Sequence, residues 1–518
     1  MSVNKLKINY RRLIVSRIFT TFIFLVLQIG WFFLSIIKLS EFSAEINAVL
    51  RIFSLFVVIY IVCKEDNPSY KIVWIILILL FPIFGGLLYV FAGNKKPSKK
   101  MHKKILSTRQ YYLPMLNGDK SESCMEKADP RSALTMNYIR SSGGYPAFDG
   151  TAVKYYPVGD KMFEDMLDEL RKAEHFIFLE YFIIREGVMW DSIAKILIEK
   201  ASMGVDVRII YDDMGCVALL PPKYYKQLEA LSPNIKCLAF NPVVPFLSLV
   251  MNNRDHRKIM IIDGHTAFNG GVNLSDEYIN VTHPFGHWKD TGIRLRGKAV
   301  LSFTEMFIEL WHTFRDTDNK PMLMDYAPDV YGKAYENDGL VQPFYDTPLD
   351  TEALSENVYL EILNQAEKYV YIFTPYLIID DNMKNALCLA AQRGVDVRIV
   401  TPGIPDKKAV YRMTRANYRP LLNAGVRIFE YSPGFIHAKS FVSDDKIGVV
   451  GTINLDFRSL FLHFECGTLI YGSSAVMSLR DDHIGTMEQC REITLDNLKK
   501  YYSGTISDAL MRLISPLL

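Results

Sequence analysis

The 518-residue chain lacks three features that would assign it to other classes of protein. Its formal net charge is only +2, so it has no overall basic field of the kind that nucleic-acid binders show. Its seven cysteines are scattered and contain no C-x-x-C pair, which argues against a disulfide framework and against a zinc site. No cluster of carboxylates has the spacing of a metal site. The length allows two sizeable cores, and we expect the cysteines to be reduced.

Long apolar runs are confined to the first hundred residues. The run from Ile18 to Ile37 is uncharged and long enough to cross a hydrocarbon core of roughly 30 Å. It is longer than a usual signal-peptide core, and no small-residue cleavage site follows it. Two further runs, near 48–63 and 72–92, are joined by a short polar segment, which predicts a membrane hairpin rather than a buried helix pair. We therefore expect residues 1–94 to form a transmembrane anchor.

Basic residues flank these runs on both sides. Lysines and arginines precede the first run, and a lysine cluster from Lys95 to Lys104 follows the third, within a basic linker over 95–150. Both clusters favour the cytoplasmic side, but three full spans would put them on opposite sides of the membrane. The number of true spans stays open, and we expect the large C-terminal part to lie on the cytoplasmic side of the membrane.

From about residue 150 the chain repeats itself. AEHFIFLEYFII and GVDVRIIYDD in the first copy correspond to AEKYVYIFTPYLII and GVDVRIVTPG in the second, with a helix-like stretch between the two segments of each copy. Strand, helix and strand in this order predict βαβ units and a mostly parallel sheet. The predicted fold class is α/β. We expect two repeated halves, 151–335 and 336–518, to face each other across a pseudo-two-fold axis.

Each copy ends in the polar pattern H-x-K-x4-D followed by G-[GT]-x-N. The candidate catalytic residues are His256, Lys258, Asp263, His437, Lys439 and Asp444, with Asn273 and Asn454 as further candidate phosphate ligands. On a strand, residues i and i+2 point to the same side, so the histidine and lysine of each motif are expected to act together. One such motif is a weak signal. Two copies at matching places in a repeat are a strong one, which core histidines with surface lysines would not explain.

Two histidines, two lysines and two asparagines in one pocket suit phosphodiester chemistry. Lysine binds phosphate as a point charge, and asparagine adds neutral donors. Together they would offset the negative charge of the phosphodiester and of its transition state. One imidazole can attack phosphorus while the other, protonated, donates to the leaving oxygen. The lysines supply the positive charge, so we expect no metal and no cofactor.

Two acidic residues stand at matching places after the motifs. Asp290 and Glu465 each precede an alternating apolar strand, and we predict that they orient the two imidazoles. Asp263 and Asp444 are expected to brace a turn or the lysine rather than to contact phosphate. The other histidines, His463 among them, have no matching partner set and are interpreted mostly as ordinary surface or core residues.

These residues resemble the phospholipase D superfamily, whose signature is the paired HKD motif. The segments NRDHRKIMIIDG and GFIHAKSFVSDDKIGVVGTINLDFRS look like those of bacterial cardiolipin synthases, and the likeness runs from about residue 48 to the end. The resemblance implies a bacterial membrane enzyme that converts two phosphatidylglycerols to cardiolipin and glycerol through a phosphohistidine. It implies His256 as the nucleophile and His437 as the acid. One departure is Gly271, where the second copy has Thr452, and we expect this to make the phosphate contacts unequal.

The motifs leave rival activities open. A phospholipase D would use water as the acceptor, and the sequence does not show whether water is excluded from the active site. A phosphodiesterase acting on nucleic acid would need a salt-sensitive basic groove, which the net charge does not suggest. Phosphatidylethanolamine could also serve as donor or acceptor.

Overall fold

A computed structural model describes most of the chain. The described residues are 26, 29–30, 43–93, 99–116, 124–242, 253–315, 321–327, 335–501 and 511–515. The first apolar run, over 18–37, lies outside them except at three positions.

Three helices form the described N-terminal part: α1 (Ser43–Val62), α2 (Pro68–Leu80) and α3 (Pro82–Ala92). The sequence predicts one helix near 72–92, but this apolar run is divided into two helices at Pro82. Proline has no backbone N–H, so it breaks the hydrogen bonding of a helix interior but is well tolerated in the first turn of a new helix. Among the described helices, none combines the length and the apolar character needed to cross a bilayer.

The N-terminal helices pack against the second half of the core. The ring of Tyr70 stacks on Phe457 with centroids 5.9 Å apart, and Trp74 contacts Tyr89 edge to face. The side-chain amide of Asn67 donates to Asp380 at 2.8 Å. The α1–α2 hairpin is therefore joined to the part of the chain that carries the second motif.

Two helices connect this region to the core, α4 (Lys99–Tyr112) and α5 (Pro130–Tyr138). Short 3-10 and π-helical turns follow them at Leu113–Leu116 and Ile139–Gly143. Arg109 of α4 donates to the carbonyl of Gly143 at 3.0 Å, which holds the two elements together.

The first half is built on a seven-stranded sheet in the order β1-β8-β6-β5-β2-β3-β4. Its strands are β1 (Thr151–Tyr156), β2 (Phe176–Tyr181), β3 (Asp206–Asp212), β4 (Ile235–Phe240), β5 (Lys258–Ile262), β6 (Thr266–Gly270) and β8 (Gly292–Gly297), with β7 (His287–Lys289) outside the sheet. Its helices are α6 (Gly159–Lys172), α7 (Val188–Ser202), α8 (Asp213–Cys216), α9 (Tyr224–Glu229) and α10 (Val300–Phe314), and its 3-10 turns are Asp276–Ile279 and Leu323–Tyr326.

The second half has an eight-stranded sheet in the order β9-β18-β16-β15-β10-β12-β13-β19. Its strands are β9 (Leu340–Asp346), β10 (Tyr369–Phe373), β12 (Asp396–Pro402), β13 (Arg427–Tyr431), β15 (Ser440–Ser443), β16 (Ile447–Gly451), β18 (Glu465–Tyr471) and β19 (Cys490–Ile493), and the short strands β11 (Leu377–Ile378), β14 (Gly434–Ile436) and β17 (Leu455–Asp456) lie outside it. Its helices are α11 (Leu354–Gln365), α12 (Asp381–Gln392), α13 (Lys408–Ala416), α14 (Tyr418–Asn423), α15 (Phe457–Phe461), α16 (Ser474–Met487) and α17 (Leu495–Tyr501).

The two sheets have the same strand order, apart from the added edge strand β19. The expectation of mostly parallel sheets is wrong, because only two neighbouring pairs in each sheet are parallel: β2–β3 and β3–β4, and β10–β12 and β12–β13. These pairs are joined by helical crossovers, whereas tight turns after each HKD aspartate return the chain as an antiparallel hairpin. The repeated architecture of two α/β halves is confirmed, and its sheets are mixed.

The halves meet around a buried helix and a short strand pair. Every residue of α10 from Val300 to Thr313 is buried. Strands β7 and β14 pair in parallel across the interface, with Trp288 opposite Phe435. Since β7 leads to Asp290 and β14 leads to His437, this pairing brings one candidate residue from each half together.

Candidate active site

Each motif histidine precedes the first residue of the strand that follows it. Strand β5 begins at Lys258, two residues after His256, and β15 begins after both His437 and Lys439. The backbone N–H of His256 donates to the carbonyl of Phe464 at 2.9 Å, and that of His437 donates to the carbonyl of Lys289 at 2.7 Å. The sequence places the histidines on their own strands, but their backbone groups are instead paired with the opposite half.

The imidazoles are held crosswise by carboxylates of the opposite half. His256 Nδ1 lies 2.8 Å and 2.9 Å from the two carboxylate oxygens of Glu465. His437 Nδ1 lies 2.6 Å from Asp290 Oδ2. A carboxylate acceptor at Nδ1 favours the tautomer that has its proton there and leaves the Nε2 lone pair free. The sequence predicts that both carboxylates orient imidazoles but does not show which histidine each one contacts.

Gly271 and Thr452 lie beside the two carboxylates. The Thr452 hydroxyl donates to Glu465 Oε2 at 2.5 Å. At the matching place, a Cβ on Gly271 would lie 2.0 Å from Asp290 Oδ1, which is too close for any side chain. The two carboxylates therefore have unequal surroundings: Glu465 accepts a hydrogen bond from a hydroxyl, and Asp290 occupies space that a side chain at position 271 would need.

The two motif lysines are buried and point toward their own motifs. Lys258 Nζ donates to the carbonyl of His256 at 2.6 Å, and Lys439 Nζ donates to the carbonyl of His437. Burial lowers the pKa of Lys258 to about 8 against the attraction of Glu465. Burial also lowers the pKa of Lys439 to about 7, where Asp290 opposes the shift and the Lys258 charge adds to it. An anion in the pocket would restore both charges.

The surroundings of both imidazoles lower their pKa values and so favour the neutral form. Burial, with the nearby charges of Lys258 and Lys439, lowers the pKa of His256 well below its ordinary value. Burial lowers the pKa of His437 to about 4, where Lys439 adds to the shift and Asp290 opposes it. For Asp290, burial raises the pKa, but His437 and Lys439 outweigh burial and the net pKa is lowered. The site thus combines two imidazoles of lowered pKa with two buried lysines.

The motif aspartates brace strands away from the imidazoles. Asp263 accepts the backbone N–H groups of Glu174, His175 and Phe176, each at 2.8 Å. Asp444 does the same at the start of β10, with three backbone N–H groups at 2.7–2.9 Å. Both aspartates have a positive φ, 50° and 54°, which is the turn conformation that begins the hairpin.

The two motif asparagines have different partners. Asn273 accepts the N–H of Ile183 at 3.0 Å and donates to the Tyr278 hydroxyl at 2.8 Å. Asn454 donates to the Ser459 hydroxyl at 3.0 Å, and its Oδ1 has no partner among the described residues. Both are buried, and in this arrangement the Asn273 amide already has an acceptor.

Aromatic rings surround the imidazoles. Trp288 and Tyr278 lie 5.6 Å and 5.4 Å from the His437 ring, centroid to centroid. Phe182 and His463 lie 5.0 Å and 5.7 Å from the His256 ring. From the sequence alone, His463 is interpreted as an ordinary surface or core histidine. The signal that could have found it is its position two residues before Glu465, as Trp288 stands two residues before Asp290.

Among the described residues, one group of side chains could hold a metal ion. Ligand atoms of His256, His463 and Glu465 all lie within 4.8 Å of one another. A metal there would occupy the His256 imidazole and would face the charges of the two motif lysines. A metal ion bound by these three residues would therefore be expected to block the His256 imidazole rather than to assist it.

Comparison with known proteins gives the family. The model described as cardiolipin synthase, PLD-like domain, matches residues 166–311 and 359–484, and the phospholipase D-nuclease N-terminal model matches residues 49–94. A cardiolipin synthase of Alkalihalophilus pseudofirmus is 32% identical over 478 residues, covering 91% of this chain and 94% of its own. Cardiolipin synthase 2 of Bacillus anthracis is 34% identical over 460 residues, 88% of each chain.

Two further similarities complete the comparison. An uncharacterized protein of Streptococcus mutans is 44% identical over 466 residues, which are 89% of this chain and 99% of that protein. The crystal structure of a phosphatidylserine synthase of Haemophilus influenzae matches 72% of this chain and 97% of its own with a TM-score of 0.52 at 14% identity, which indicates a shared fold. From the matched family model and these full-length relatives, the chain belongs to the cardiolipin synthase family of phospholipase-D-like proteins.

Proposed function

We propose that this protein is a membrane-bound cardiolipin synthase that transfers a phosphatidyl group from one phosphatidylglycerol to another through a phosphohistidine. The observation that carries the proposal is the crosswise pairing of His256 with Glu465 and of His437 with Asp290, beside two buried lysines. The reciprocal contacts also support a pseudo-two-fold relation between the halves. Such a site supplies a nucleophile, an acid and positive charge at one phosphorus.

In the first step, His256 Nε2 attacks the phosphorus of the donor lipid. The bond between phosphorus and the glycerol oxygen breaks, and protonated His437 gives its proton to that oxygen. Burial and the lysine charges lower the pKa of His437, and the phosphodiester anion raises this pKa again because it offsets the lysine charges. Lys258 and Lys439 offset the charge of the non-bridging oxygens.

In the second step, the acceptor lipid reverses these roles. Neutral His437 takes the proton of the acceptor's glycerol hydroxyl, whose oxygen attacks phosphorus. The bond between phosphorus and His256 Nε2 breaks, cardiolipin forms, and the histidine returns to its starting state. We propose that Asn454, whose Oδ1 has no partner among the described residues, accepts a hydrogen bond from the hydroxyl of the acceptor lipid.

The N-terminal residues 1–94 are proposed as the membrane anchor, with 95–150 as the linker and 151–335 and 336–518 as the catalytic halves. Support comes from the apolar surface of the described helices, where Phe56 and Leu80 are each 66% exposed. Such side chains on a helix pair are stable against lipid rather than water. We place the protein in the bacterial cell membrane with its catalytic part on the cytoplasmic side.

A phospholipase-D-type hydrolase is the second candidate, because the same histidines would serve if water reached the phosphohistidine. Phosphatidylethanolamine is a further possible donor or acceptor. The experiment supplies phosphatidylglycerol to the detergent-purified protein in the presence of EDTA and measures cardiolipin, glycerol and phosphatidic acid. Equal molar amounts of cardiolipin and glycerol support the proposal. Phosphatidic acid as the main product would make the protein a hydrolase.

A further inference from the structure

The side chain of Asp482, on α16 of the second half, reaches residues of the first half. Its Oδ1 accepts a hydrogen bond from Lys289 Nζ at 2.5 Å, and its Oδ2 accepts one from the Tyr155 hydroxyl at 2.6 Å. Lys289 Nζ also donates to the carbonyl of Pro157 at 2.7 Å. The side chains of Lys289 and Asp482 are 6% and 12% exposed, so the contact is nearly closed to solvent. A shielded, hydrogen-bonded ion pair holds its members more firmly than an exposed one.

Tyr155 reaches Asp482 from β1. Burial, together with the charge of Asp482, raises the pKa of the Tyr155 hydroxyl well above its ordinary value. The hydroxyl therefore keeps its proton and remains a donor to the carboxylate. Both oxygens of Asp482 are thus bonded to groups of the first half, one on β1 and the other at the end of β7.

Lys289 connects this contact to the proposed acid. It is the last residue of β7, and its carbonyl accepts the backbone N–H of His437 at 2.7 Å. The next residue along the chain is Asp290, whose Oδ2 lies 2.6 Å from His437 Nδ1. A continuous path of hydrogen bonds and one peptide bond therefore runs from Asp482 through Lys289 and Asp290 to the imidazole of His437.

The same helix also contacts the segment that follows His437. His483, next to Asp482 on α16, lies nearly parallel to the Phe373 ring with centroids 3.5 Å apart, and its Nε2 lies 2.9 Å from Ser440 Oγ. Ser440 directly follows Lys439 and begins β15. Two neighbouring residues of α16 therefore contact the two segments that carry Asp290 and Lys439.

We propose that Asp482 is a positioning residue for the transfer reaction: through Lys289 it keeps Asp290 bonded to His437 Nδ1, and so keeps His437 Nε2 directed at the oxygen of the departing glycerol. The inference rests on the proposed function, in which His437 protonates that oxygen. A displacement of about 1 Å at a catalytic group can lower a rate on the order of 10²-fold. Because β7 stays paired with β14 without Asp482, we expect a smaller loss.

The first test compares two neighbouring aspartates of α16 in the full-length protein. Asp482→Asn keeps the size of the side chain but removes the charge that holds Lys289. It is expected to lower kcat for cardiolipin formation about tenfold, the loss of one hydrogen bond to a charged group, with an unaltered KM for phosphatidylglycerol. The control is Asp481→Asn, whose side chain is 64% exposed. Both constants of this control should stay within about twofold of wild type.

The leaving group distinguishes positioning of the acid from a general structural effect. The phosphatidyl ester of para-nitrophenol releases a stable phenolate, so its first step needs attack by His256 but no proton from His437. We therefore expect Asp482→Asn to release para-nitrophenolate in a single turnover at the wild-type rate, and to release glycerol from phosphatidylglycerol about tenfold more slowly. Equal losses with the two substrates, or a change confined to KM, would overturn the inference.

A milder variant and a double variant keep the test independent of folding. Tyr155→Phe removes one donor to Asp482 and should show the same pattern with a loss of about threefold, with Tm measured for each protein. Asp482→Asn should add little to the loss caused by Asp290→Asn. It should multiply the loss caused by Thr452→Val, because that hydroxyl bonds to Glu465 on the His256 side. Full multiplication with Asp290→Asn would contradict a role through that carboxylate.

The same substrate shows whether the proposed function fails first. His256→Ala should abolish release of para-nitrophenolate, and His437→Ala should largely retain it. Equal and severe losses in both histidine variants would overturn the assignment of nucleophile and acid, and the inference with it. Histidine variants that behave as expected, beside an Asp482→Asn that slows both substrates alike, would overturn the inference alone.

Discussion

The two halves of the catalytic core have the same strand order but different surroundings for their histidines. His437 has Trp288, Tyr278 and Phe435 around it and a carboxylate beside a glycine. His256 has one aromatic ring, a second imidazole and a carboxylate that also accepts a threonine hydroxyl. The repeated strands put both imidazoles in equivalent places, and the residues outside the motif make them unequal. In the proposed mechanism, this difference in surroundings would distinguish the histidine that acts as nucleophile from the one that acts as acid.

The largest expected effect comes from removing either imidazole. His256→Ala and His437→Ala should each lower the rate of cardiolipin formation by about 10³-fold or more, since each step needs both a nucleophile and an acid or base. Initial rates on phosphatidylglycerol would measure this, with Tm as the check of folding. The exposed His175→Ala is the matched control. A rate above a tenth of wild type in either motif variant would contradict the two-histidine mechanism.

The crosswise pairing predicts the next effect. Glu465→Gln and Asp290→Asn keep the shape of each side chain but remove the charge that holds the partner imidazole, and each should lower kcat on the order of 10²-fold. Double variants test more directly which histidine each carboxylate contacts. Glu465→Gln should add little to the loss caused by His256→Ala, and Asp290→Asn should add little to that caused by His437→Ala. Fully additive losses in these pairs would show that each carboxylate serves something else.

Much of this site could be predicted from the sequence. The repeat and the spacing of the motif identify His256 and His437, and the matching positions identify Asp290 and Glu465, because duplicated polar residues stand out against an apolar background. The crosswise assignment could not be predicted, since it depends on how two separate sheets face each other. The position of His463 could not be predicted because its only signal is a match to a tryptophan. The mixed direction of the sheets could not be predicted because an apolar strand segment can pair either through a helical crossover or through a tight turn such as the one after each motif aspartate.

A smaller effect distinguishes the two carboxylates. Thr452→Val removes a hydroxyl donor to Glu465 and should lower kcat about 10-fold to 100-fold, the range for a hydrogen bond to a charged group. Thr452→Ser keeps that donor and should remain within about threefold of wild type. Gly271→Ala should displace Asp290 and cause a loss at least as large as that of Thr452→Val. If Gly271→Ala were silent, the tight contact with Asp290 would not matter to catalysis.

The smallest effect is a dependence on pH. In the free enzyme the pKa of Lys439 is about 7 and that of Lys258 about 8, so both lose their charge as the pH rises through this range. Since the charged forms bind phosphate, kcat/KM should fall with rising pH between about 7 and 9. Lys439→Arg keeps its charge and should move the decline to higher pH, at a lower maximum rate. A profile that rises over this range would contradict the role of the lysines.

The covalent intermediate tests the central claim most directly. Wild-type protein is mixed with phosphatidylglycerol carrying labelled phosphorus, quenched in alkali within the first turnover, and mapped by peptide mass spectrometry. The expected result is a phosphatidyl group on His256 of the wild-type protein and no such group on the His256→Ala variant. Cardiolipin formation with no labelled histidine, or with label on a residue outside the two motifs, would contradict it.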